Sequence, residues 1–550
     1  MSSNKENLNF IDRLIRKDLE DGKCDKIHTR FPPEPNGYLH IGSAYAINIS
    51  YSLAEKYNGE FNLRFDDTNP QKESNEFVNS IIEDMKWLGF DYGDKVFFGS
   101  DYSEKIYNYA IYLIKKGKAY VCDLSNEEIK EYRGTLTTKG KYSPYRDRSV
   151  EENLDLFIKM KEGYFEEGSK VLRAKIDMES SNMNMRDPII YRILNTSHYR
   201  TGNDWCIYPM YDYAHPIQDY IEGISHSLCS AEFKDHRPLY EWVLNELDLE
   251  NNLPKQTEFG RMSLSGVVTS KRYLKQLVES KVVDGWDDPR LPTIKGLKRR
   301  GYTKEAISSF LGEIGVAKSE SIVDISMLEH AIRQDLKTKA PSVMAVLDPI
   351  KVVITNLDEN HIEYLDIESN IENNKIEKRT IPFTKYLYIE REDFNENPPK
   401  KYNRLILGGE VRLKNAYFIK CEEVIKDENG NIIELRCTYD QETKSGSGFN
   451  KRKVKGTIHW ISESNCTPCE VRLFDSLFTE LPSSNNLFDV LNPNSIEIKT
   501  NSVIENYALE LDDDERIQFM RNGYFVKDYK LSSNEKLVFN RIVALKSSYK

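Results

Sequence analysis

Hydrophobic residues over the first hundred positions alternate between helical and strand-like spacing. The pattern predicts, in order, a helix at 8–19, a strand at 26–31, a helix at 41–53, a strand at 61–65, a helix at 77–88 and a strand at 96–98. Strands that alternate with helices in this way form a parallel, doubly wound sheet. Its ligand crevice should lie at the carboxyl ends of the strands, where the Pro32–His40 loop and Asp66 both fall.

The pattern changes twice farther along the chain. After residue 100 a helix and short strands break the alternation, which predicts an inserted domain, and the α/β pattern returns near Cys206–Met210. From Met344 onward, short alternating strands separated by Asn, Asp, Gly and Pro clusters predict β-barrels. We therefore expect an α/β (Rossmann-like) domain of residues 24–100 and 206–270, an insertion of residues 101–205, a helical domain of residues 271–340 and two β-barrels in residues 341–550.

Composition narrows the class of protein. Of the 550 residues, 39% are apolar, which suffices for several packed cores. The 77 Lys and Arg against 88 Asp and Glu give a net charge of −11, which excludes a globally basic nucleic-acid coat but permits local basic patches. No apolar run approaches the ~20 residues of a membrane span, and the charged N-terminus lacks the apolar core of a secretory signal. We expect a cytoplasmic protein that does not bind a membrane.

The eight cysteines are scattered, apart from one Cys466-x-x-Cys469 pair. A zinc site would need further ligands, so this pair favours a barrel turn over a metal site, and no other metal ligands are predicted. A disulfide scaffold is typical of small secreted chains, so we expect the thiols of this long, cytoplasmic chain to be reduced.

The segment Pro32–Ser43 (PPEPNGYLHIGS) carries the strongest chemical signal. It joins a predicted strand to a helix that opens at His40, and a helix N-terminus offers N–H groups and a positive dipole end to phosphate. Gly42 leaves room for a nucleotide ring, and His40 can donate to a phosphoryl oxygen. The three residues His-Ile-Gly alone would be an ordinary structural loop, but twelve residues in this strand–loop–helix context favour a nucleotide site.

A second segment, Val268–Arg272 (VTSKR), lies between a predicted strand and a helix. Lys271 could reach a transferring phosphoryl group from there. In a chain with 30% charged residues, such a run is ordinarily a solvated surface. The Val268–Arg272 run indicates a nucleotide site only because the chain also contains the Pro32–Ser43 segment.

These residues resemble the glutaminyl/glutamyl branch of the class I aminoacyl-tRNA synthetases, and within it the glutaminyl members. The resemblance runs from about Lys26 to near Lys546. It is most specific in the stretches RFPPEPNGYLHIG, SPYRDRSVEENL, LRAKIDM, WCIYPMYDYAH, VDGWDDPRLPT and GGEVRLKNAYFIK. The family's His-Ile-Gly-His and Lys-Met-Ser-Lys-Ser motifs correspond here to His40–Ser43 and Val268–Arg272.

The resemblance implies ATP-dependent ligation of L-glutamine to its tRNA through a glutaminyl-adenylate, with Mg²⁺ on the pyrophosphate. Glutamine and tRNA are the implied partners, and we expect a monomer. For the four predicted parts, taken in the order given above, the resemblance implies a catalytic domain, an acceptor-end-binding insertion, a stem-contact domain and anticodon-binding barrels. No protein nucleophile is required, because catalysis consists of positioning and charge stabilisation.

The resemblance also implies site residues, with His40 and Lys271 as the catalytic pair. The implied ATP-binding residues are Glu34, Pro35, Asn36, His40, Ile41, Gly42, Ser43, Arg261, Ser270 and Lys271. Two positions depart from the family motifs: Ser43 replaces the second histidine and Thr269 replaces the methionine. Losing one preorganised donor costs on the order of 3 kcal/mol in well-studied enzymes, yet His40 and Lys271 remain, and we expect an active enzyme.

Four residues are implied for the amino-acid pocket: Arg30, Asp66, Tyr211 and Cys229. Asp66 ends a predicted strand and can pair with the substrate ammonium, although an exposed turn acid is an equally good interpretation of the residue alone. Glutamyl members of the family generally have arginine where this chain has Cys229. An uncharged residue there cannot compensate a buried substrate carboxylate, which favours glutamine.

RNA contacts must be local in an acidic chain. The run 295–304 has five basic residues and no acid, and we expect it along a tRNA stem, although a solvated helix start is the ordinary alternative. The resemblance implies anticodon contacts by Arg404, Arg412, Gln518 and Arg521, with Lys401, Lys414 and Lys546 less certain. Single-stranded anticodon bases expose edges that proteins can read.

Two alternatives stay open at this point. One is a glutamyl or relaxed-specificity synthetase on the same scaffold, which Cys229 and Tyr211 oppose. The other is a catalytically inactive tRNA-binding paralogue, which Ser43 and Thr269 motivate and the retained His40, Lys271 and Asp66 oppose.

Overall fold

The computed structural model describes residues 8–250, 252–372, 375–483 and 486–546. The chain divides into two compact units. The first comprises Met1–Ser263 and Leu311–Val323, and the second comprises Leu264–Phe310 and Asp324–Lys550.

The helices predicted from hydrophobic spacing are present. Asn9 caps the first with a reciprocal Asn9–Asp12 capping box, which satisfies N–H groups that have no partner within the helix. The helices of the described ranges are α1 (Phe10–Glu20), α2 (Ile41–Lys56), α3 (Asn75–Leu88), α4 (Ser103–Lys115), α5 (Asn126–Arg133), α6 (Val150–Lys161), α7 (Tyr211–Ile221), α8 (Arg237–Glu246), α9 (Lys271–Glu279), α10 (Ile294–Arg300), α11 (Lys304–Ile314) and α12 (Ile325–Lys337).

Strands are short in the first unit and longer in the second. Those of the first unit and its boundary are β1 (His28–Phe31), β2 (Glu60–Phe65), β3 (Val96–Phe98), β4 (Ala119–Cys122), β5 (Val171–Ala174), β6 (Ile189–Ile193), β7 (Ile207–Pro209), β8 (His226–Ser230), β9 (Lys255–Phe259), β10 (Met262–Leu264) and β11 (Ser321–Val323). Those of the second unit are β12 (Ser342–Val343), β13 (Ala345–Val346), β14 (Pro349–Ile354), β15 (Glu363–Glu372), β16 (Lys375–Phe383), β17 (Tyr386–Glu390), β18 (Glu410–Leu413), β19 (Phe418–Lys426), β20 (Ile432–Asp440), β21 (Thr457–Ile458), β22 (Ile461–Ser462), β23 (Cys466–Phe474), β24 (Ile496–Glu505), β25 (Arg516–Phe519), β26 (Gly523–Lys527) and β27 (Leu537–Ala544).

The predicted parallel sheet forms in the first unit. β1, β2 and β3 pair in parallel, and β8 pairs in parallel with β9. The two groups meet where the Ser225 N–H donates to the His28 carbonyl at 3.0 Å. The strand order therefore reverses between β1 and β8, which is the position at which open α/β sheets form ligand crevices.

Strands β4, β5 and β6 of the predicted insertion form a four-stranded antiparallel sheet with β7, which lies just beyond the predicted boundary. The apolar face of this sheet packs against α4, α6, α7 and α8. The segment Cys206–Met210 differs from the prediction that the parallel pattern resumes there, because β7 pairs antiparallel with β6 and completes this sheet. An apolar run as short as Ile207–Pro209 does not reveal from sequence which sheet it joins.

The second unit is rich in β-structure from residue 342 onward, as predicted. It contains two seven-stranded barrel-like sheets, one built around β19, β20 and β14 and the other around β27, β23 and β24. Cys466 and Cys469 lie within β23 rather than in the barrel turn that their spacing suggested. No helix in the described part of the chain is long and apolar enough to cross a bilayer.

Candidate active site

A cavity of about 540 Å³ lies at the carboxyl ends of the parallel strands in the first unit. Arg30 and Phe31 come from the end of β1, Asp66 follows β2, and Cys229 lies near the end of β8. Tyr211, at the start of α7, completes the wall. All four residues predicted to bind the amino acid therefore line one cavity at the switch point of the sheet.

Arg30 is fully buried and its guanidinium is held by the protein itself. Its Nε donates to Asp219 at 3.0 Å, its Nη1 to the Leu228 carbonyl at 2.7 Å, and its Nη2 to the Ser227 hydroxyl at 2.7 Å. Because the interaction with Asp219 neutralises the cation, Arg30 supplies shape and hydrogen bonding rather than a bare positive charge.

Asp219 also binds a second buried arginine. Arg64 donates to its carboxylate at 2.7 Å, and the Arg64 Nη1 lies 3.3 Å from Glu222. Burial opposes ionisation of Asp219, but the charges of Arg30 and Arg64 prevail and lower its pKa, while burial keeps His215 neutral by lowering its pKa. Two guanidinium groups and two carboxylates thus balance beneath the cavity, so its floor has no net charge.

Two of the predicted pocket residues, Cys229 and Tyr211, are uncharged. Burial raises the pKa of the Cys229 thiol to about 12, so it remains protonated at neutral pH. Burial likewise raises the pKa of Tyr211 well above its ordinary value, and its ring stacks on His215 with centroids 4.7 Å apart. This part of the wall thus presents a thiol and a phenol to a ligand, which suits a neutral polar group, whereas Arg192, Glu34, Asp66 and Glu73 line other parts of the cavity.

Asp66 is one of the acidic side chains that line the cavity, together with Glu34 and Glu73. It is only 6% exposed, and its Oδ1 accepts from the Thr68 hydroxyl at 3.1 Å. Burial raises the pKa of Asp66 to about 7, against the opposing effect of Arg64. A cationic group that enters the cavity would favour the ionised form, which is the behaviour expected of a partner for a substrate ammonium.

Sequence reasoning missed Glu73, which also lines the cavity. Its Oε1 accepts from the Asn69 N–H at 2.8 Å, whereas its buried Oε2 has no hydrogen-bond partner among the described residues. Burial raises the pKa of Glu73 to about 9, so the group is protonated at neutral pH and can donate a hydrogen bond. Nothing in the local sequence separates this acid from Glu76, which lies on the following helix and is exposed.

His40 is the N-cap of α2. This role changes the prediction that the free N–H groups at the start of the helix bind phosphate. Its Nδ1 accepts from the N–H groups of Gly42 and Ser43 at 3.1 and 3.3 Å, and the Ser43 hydroxyl accepts from the His40 N–H at 3.4 Å. Two of the N–H groups expected to receive phosphate are thus bound to the ring. Since Nδ1 accepts, the proton of the neutral ring lies on Nε2, which makes that atom the donor. A Cβ on Gly42 would lie 3.1 Å from the ring, so glycine keeps the ring against the helix end.

The other residues predicted to bind ATP lie in different surroundings. Glu34 lines the cavity, and the Asn36 N–H donates to its carbonyl at 2.8 Å. The Pro35 carbonyl accepts from the Ser74 N–H at 3.2 Å. Ile41 is fully buried, so only its backbone can face a ligand, and Arg261 is half exposed and lies 3.1 Å from Glu232.

The second motif belongs to the second unit. Ser270 is the N-cap of α9 and Lys271 is its first residue, and both are exposed. His40 belongs to the first unit. Joint binding of one nucleotide by His40 and Lys271 stays a prediction.

Two of the four predicted anticodon residues share a cavity of about 720 Å³ in the second unit, Gln518 and Arg521. Arg521 pairs with Asp393 at 2.6 and 2.8 Å, and Arg404 reaches the same carboxylate at 2.9 Å. Arg412 lies outside this cavity and donates to the Thr443 carbonyl at 3.0 Å. Arg404, Gln518 and Arg521 are therefore brought together, and Arg412 is separate from them.

The predicted tRNA-stem run at 295–304 is wrong for Arg299. This side chain is 2% exposed and pairs with Asp528 at 3.0 Å and Asp284 at 3.1 Å. A buried cation needs such partners, so Arg299 is paired inside the second unit and is not available to RNA phosphates.

Comparison with known families reveals matches along most of the chain. Residues 26–338 match the model for "tRNA synthetases class I (E and Q), catalytic domain". Residues 340–440 and 457–528 match two models described as "tRNA synthetases class I (E and Q), anti-codon binding domain".

Curated relatives match over the full length. The glutamine–tRNA ligase of Clostridium perfringens is 57% identical, covering 100% of both chains, and that of Clostridioides difficile is 55% identical, again covering 100% of both. Among solved structures, a glutamate–tRNA synthetase from Elizabethkingia anophelis is 19% identical with a TM-score of 0.43, covering 56% of this chain and 70% of that one.

Proposed function

The chain belongs to the class I (E and Q) tRNA synthetases, and we propose that it ligates L-glutamine to its tRNA at the expense of ATP. The observation that carries the amino-acid assignment is the neutral part of the cavity wall formed by Tyr211 and Cys229, above a charge-balanced floor. The full-length identity to curated glutamine–tRNA ligases supports the same assignment.

The reaction has two steps. The glutamine carboxylate attacks the α-phosphorus of ATP, which gives glutaminyl-adenylate and pyrophosphate. The terminal ribose hydroxyl of tRNA then takes the glutaminyl group, and AMP leaves. Both steps need reacting atoms held in line and developing charge stabilised, and neither needs a protein nucleophile.

Asp66 would bind the substrate ammonium, and Tyr211 would bind the side-chain carboxamide. The selection against glutamate would follow from charge at the Tyr211–Cys229 part of the wall, where both side chains are neutral and Arg30 is already paired with Asp219. Leaving a buried charge without compensation is costly, and polar mismatches of this kind discriminate strongly.

His40 Nε2 would donate to a phosphoryl oxygen of ATP, and Lys271 would approach the same triphosphate from the second motif. Mg²⁺, when bound, would neutralise charge on the leaving pyrophosphate. The described residues contain no cluster of three side chains suited to a metal. The phosphates and water would therefore hold most of the ion's coordination sphere, as is usual for Mg²⁺.

We assign tRNA recognition to the parts named from the sequence, with residues 101–205 at the acceptor end, residues 271–340 along the stem and residues 341–550 at the anticodon. The cavity with Gln518 and Arg521 supports the last assignment. The proposed enzyme acts as a monomer in the cytoplasm, where charged tRNA is used.

The direct test is tRNA charging with glutamine and glutamate offered side by side. We expect glutamine to be preferred by at least about a hundredfold in kcat/KM. Equal charging would overturn the glutamine assignment in favour of a relaxed-specificity enzyme. Absence of pyrophosphate exchange, with tRNA present and ATP varied, would identify an inactive tRNA-binding paralogue.

Glutamine binding should weaken in acid. The pKa of Asp66 is raised to about 7 by burial, so lowering the pH through 7 protonates the carboxylate that pairs with the ammonium. The KM for glutamine should rise by up to about tenfold per pH unit below 7. KM values between pH 5.5 and 8.5 measure this effect. Asp66→Asn should have a high KM at every pH in this range, and a slope that persists in that variant would assign the titration to another group.

Removing Arg521 should weaken tRNA recognition without changing the amino-acid site. Arg521→Ala should lower kcat/KM for tRNA by about 10- to 100-fold, the cost of losing one specific nucleic-acid contact, with an unchanged KM for glutamine. Asp393 keeps Arg404 as a partner, so the fold should persist. Arg436→Ala is the matched control, because Arg436 is half exposed on the same unit and pairs only with glutamates of its own sheet among the described residues. Equal effects of the two variants would contradict the assignment.

A further inference from the structure

Two cysteines face each other across the hairpin formed by β19 and β20. The register of this antiparallel pair places Cys421 directly opposite Cys437. The two residues are fully buried and belong to the hydrophobic core beneath the sheet. Neither takes part in the proposed reaction.

Backbone hydrogen bonds define which kind of cross-strand pair this is. The Cys421 N–H donates to the Gly409 carbonyl at 3.2 Å, and its carbonyl accepts from the Gly408 N–H at 2.7 Å. The Cys437 carbonyl accepts from the Thr355 N–H at 2.8 Å, on the opposite side of β20. Both cysteines therefore direct their backbone groups away from each other and form a non-hydrogen-bonded pair.

Non-hydrogen-bonded pairs bring side chains closest together in an antiparallel sheet, with Cα atoms about 4.5 Å apart. Disulfides span Cα separations of about 4.4–6.8 Å. A disulfide is therefore compatible with the separation typical of such a pair, which lies next to a register shift between Cys421 and Glu423.

The two thiols already interact. The neighbouring Cys437 thiol lowers the pKa of Cys421, and the Cys421 thiol together with burial raises the pKa of Cys437. The Cys421 Sγ also donates to the Glu423 carbonyl at 3.6 Å. By contrast, burial raises the pKa of the thiols of Cys24, Cys206, Cys229, Cys466 and Cys469. Cys421 is thus the better nucleophile of the pair.

We propose that Cys421 and Cys437 form a site of reversible oxidation, at which a peroxide converts the two thiols to a disulfide across the β19–β20 hairpin. The Cys466-x-x-Cys469 pair is not such a site. Residues three apart in one strand point to opposite faces.

The chemistry balances with hydrogen peroxide as the oxidant. The Cys421 thiolate attacks one peroxide oxygen, an S–O bond forms as the O–O bond breaks, and the departing hydroxide takes a proton to become water. Cys437 then loses its proton and attacks the Cys421 sulfur. The S–S bond forms, the S–O bond breaks, and a second water leaves. A dithiol reductant reverses the change by thiol–disulfide exchange.

The test uses the full-length chain. Folded protein is treated with hydrogen peroxide, remaining thiols are alkylated in denaturant, and the peptides are identified by mass spectrometry. We expect one linked pair, between the peptides that contain Cys421 and Cys437. The number of free thiols should fall by two from eight and be restored by dithiothreitol. Because both thiols are buried, oxidation requires local opening and should be slower than that of an exposed thiol.

Variants separate this pair from random oxidation. In Cys437→Ala the reaction should stop at a Cys421 sulfenic acid that dimedone traps, whereas Cys421→Ala should give neither the linked peptide nor dimedone labelling at Cys437. Cys466→Ala should link as the wild type does. Far-ultraviolet circular dichroism verifies that each variant is folded. The proposal is overturned if other thiols of the folded wild type oxidise while this pair stays reduced, if another cysteine is the main partner, or if the link forms only in urea.

Discussion

Replacing Cys229 by arginine is expected to lower kcat/KM for glutamine by about 100- to 1,000-fold, as follows from the cost of an uncompensated buried charge. The wild-type cavity has a neutral thiol at this position and a floor in which Arg30 and Arg64 are balanced by Asp219 and Glu222. A guanidinium at position 229 would add a positive charge to the neutral part of the wall, where glutamine supplies no compensating carboxylate. Glutamate would supply it, so the ratio of glutamate to glutamine charging should rise. Aminoacylation with each amino acid and saturating tRNA measures both changes.

The matched control is Cys229→Ala, which removes the thiol without adding charge. It should lower activity toward glutamine by less than about tenfold, because a small buried group is lost without an ionic mismatch. If alanine and arginine reduce glutamine charging equally, volume rather than charge determines the selection. A thermal denaturation curve for each variant is needed, since an unpaired arginine can also destabilise the first unit.

The elements that locate the active site could be predicted because they depend on local patterns. Strands β1, β2 and β3 are short apolar runs between helices with clear 3.6-residue spacing. Strands and helices that alternate in this way commonly fold into a parallel sheet. Once the parallel sheet was predicted, Asp66 and the loop before His40 had to lie at its carboxyl edge. The placement of Asp66 in the cavity is thus a consequence of strand order.

What could not be predicted depends on contacts between distant residues. Arg30 and Asp219 are far apart in sequence, and no pattern near either one indicates that they pair. The burial of Arg299 depends in the same way on Asp528, so a run that resembles a solvated RNA-binding surface contains a core ion pair. Burial also determines the protonation of Glu73, which no sequence motif reports.

The imidazole of His40 illustrates a different limit. The sequence predicted the helix and the histidine at its start, but it left open how the ring and the helix N–H groups are used. The N–H groups bind the ring, and the ring thereby directs its proton to Nε2. A phosphate would then be bound by the Nε2–H of the imidazole, which lies between the phosphate and the N–H groups at the start of the helix.

Replacing Lys271 by alanine should slow adenylate formation by about 100- to 1,000-fold, because one preorganised charge at the phosphoryl group would be lost. Lys271 and Arg272 begin α9, whose first turn has no acidic residue. Cations at a helix N-terminus oppose the helix dipole and cost about 0.3–1 kcal/mol each. The helix-dipole contribution at this position is therefore unfavourable, which is consistent with a lysine kept there for binding a polyanion. Pyrophosphate exchange with tRNA present gives the rate, and KM for glutamine gives the binding.

Stability and catalysis should change in opposite directions in Lys271→Ala. The melting temperature should stay the same or rise slightly as the repulsion with the dipole is relieved, while kcat falls and KM for glutamine changes little. Lys275→Ala is the control, because Lys275 lies one turn farther along α9, is exposed and pairs only with Glu279 among the described residues. Its kcat should be within about twofold of the wild type, as is usual for a surface substitution away from the chemistry. A rise in KM for glutamine with unchanged kcat in Lys271→Ala would remove this lysine from the chemical step and leave the triphosphate to His40 alone.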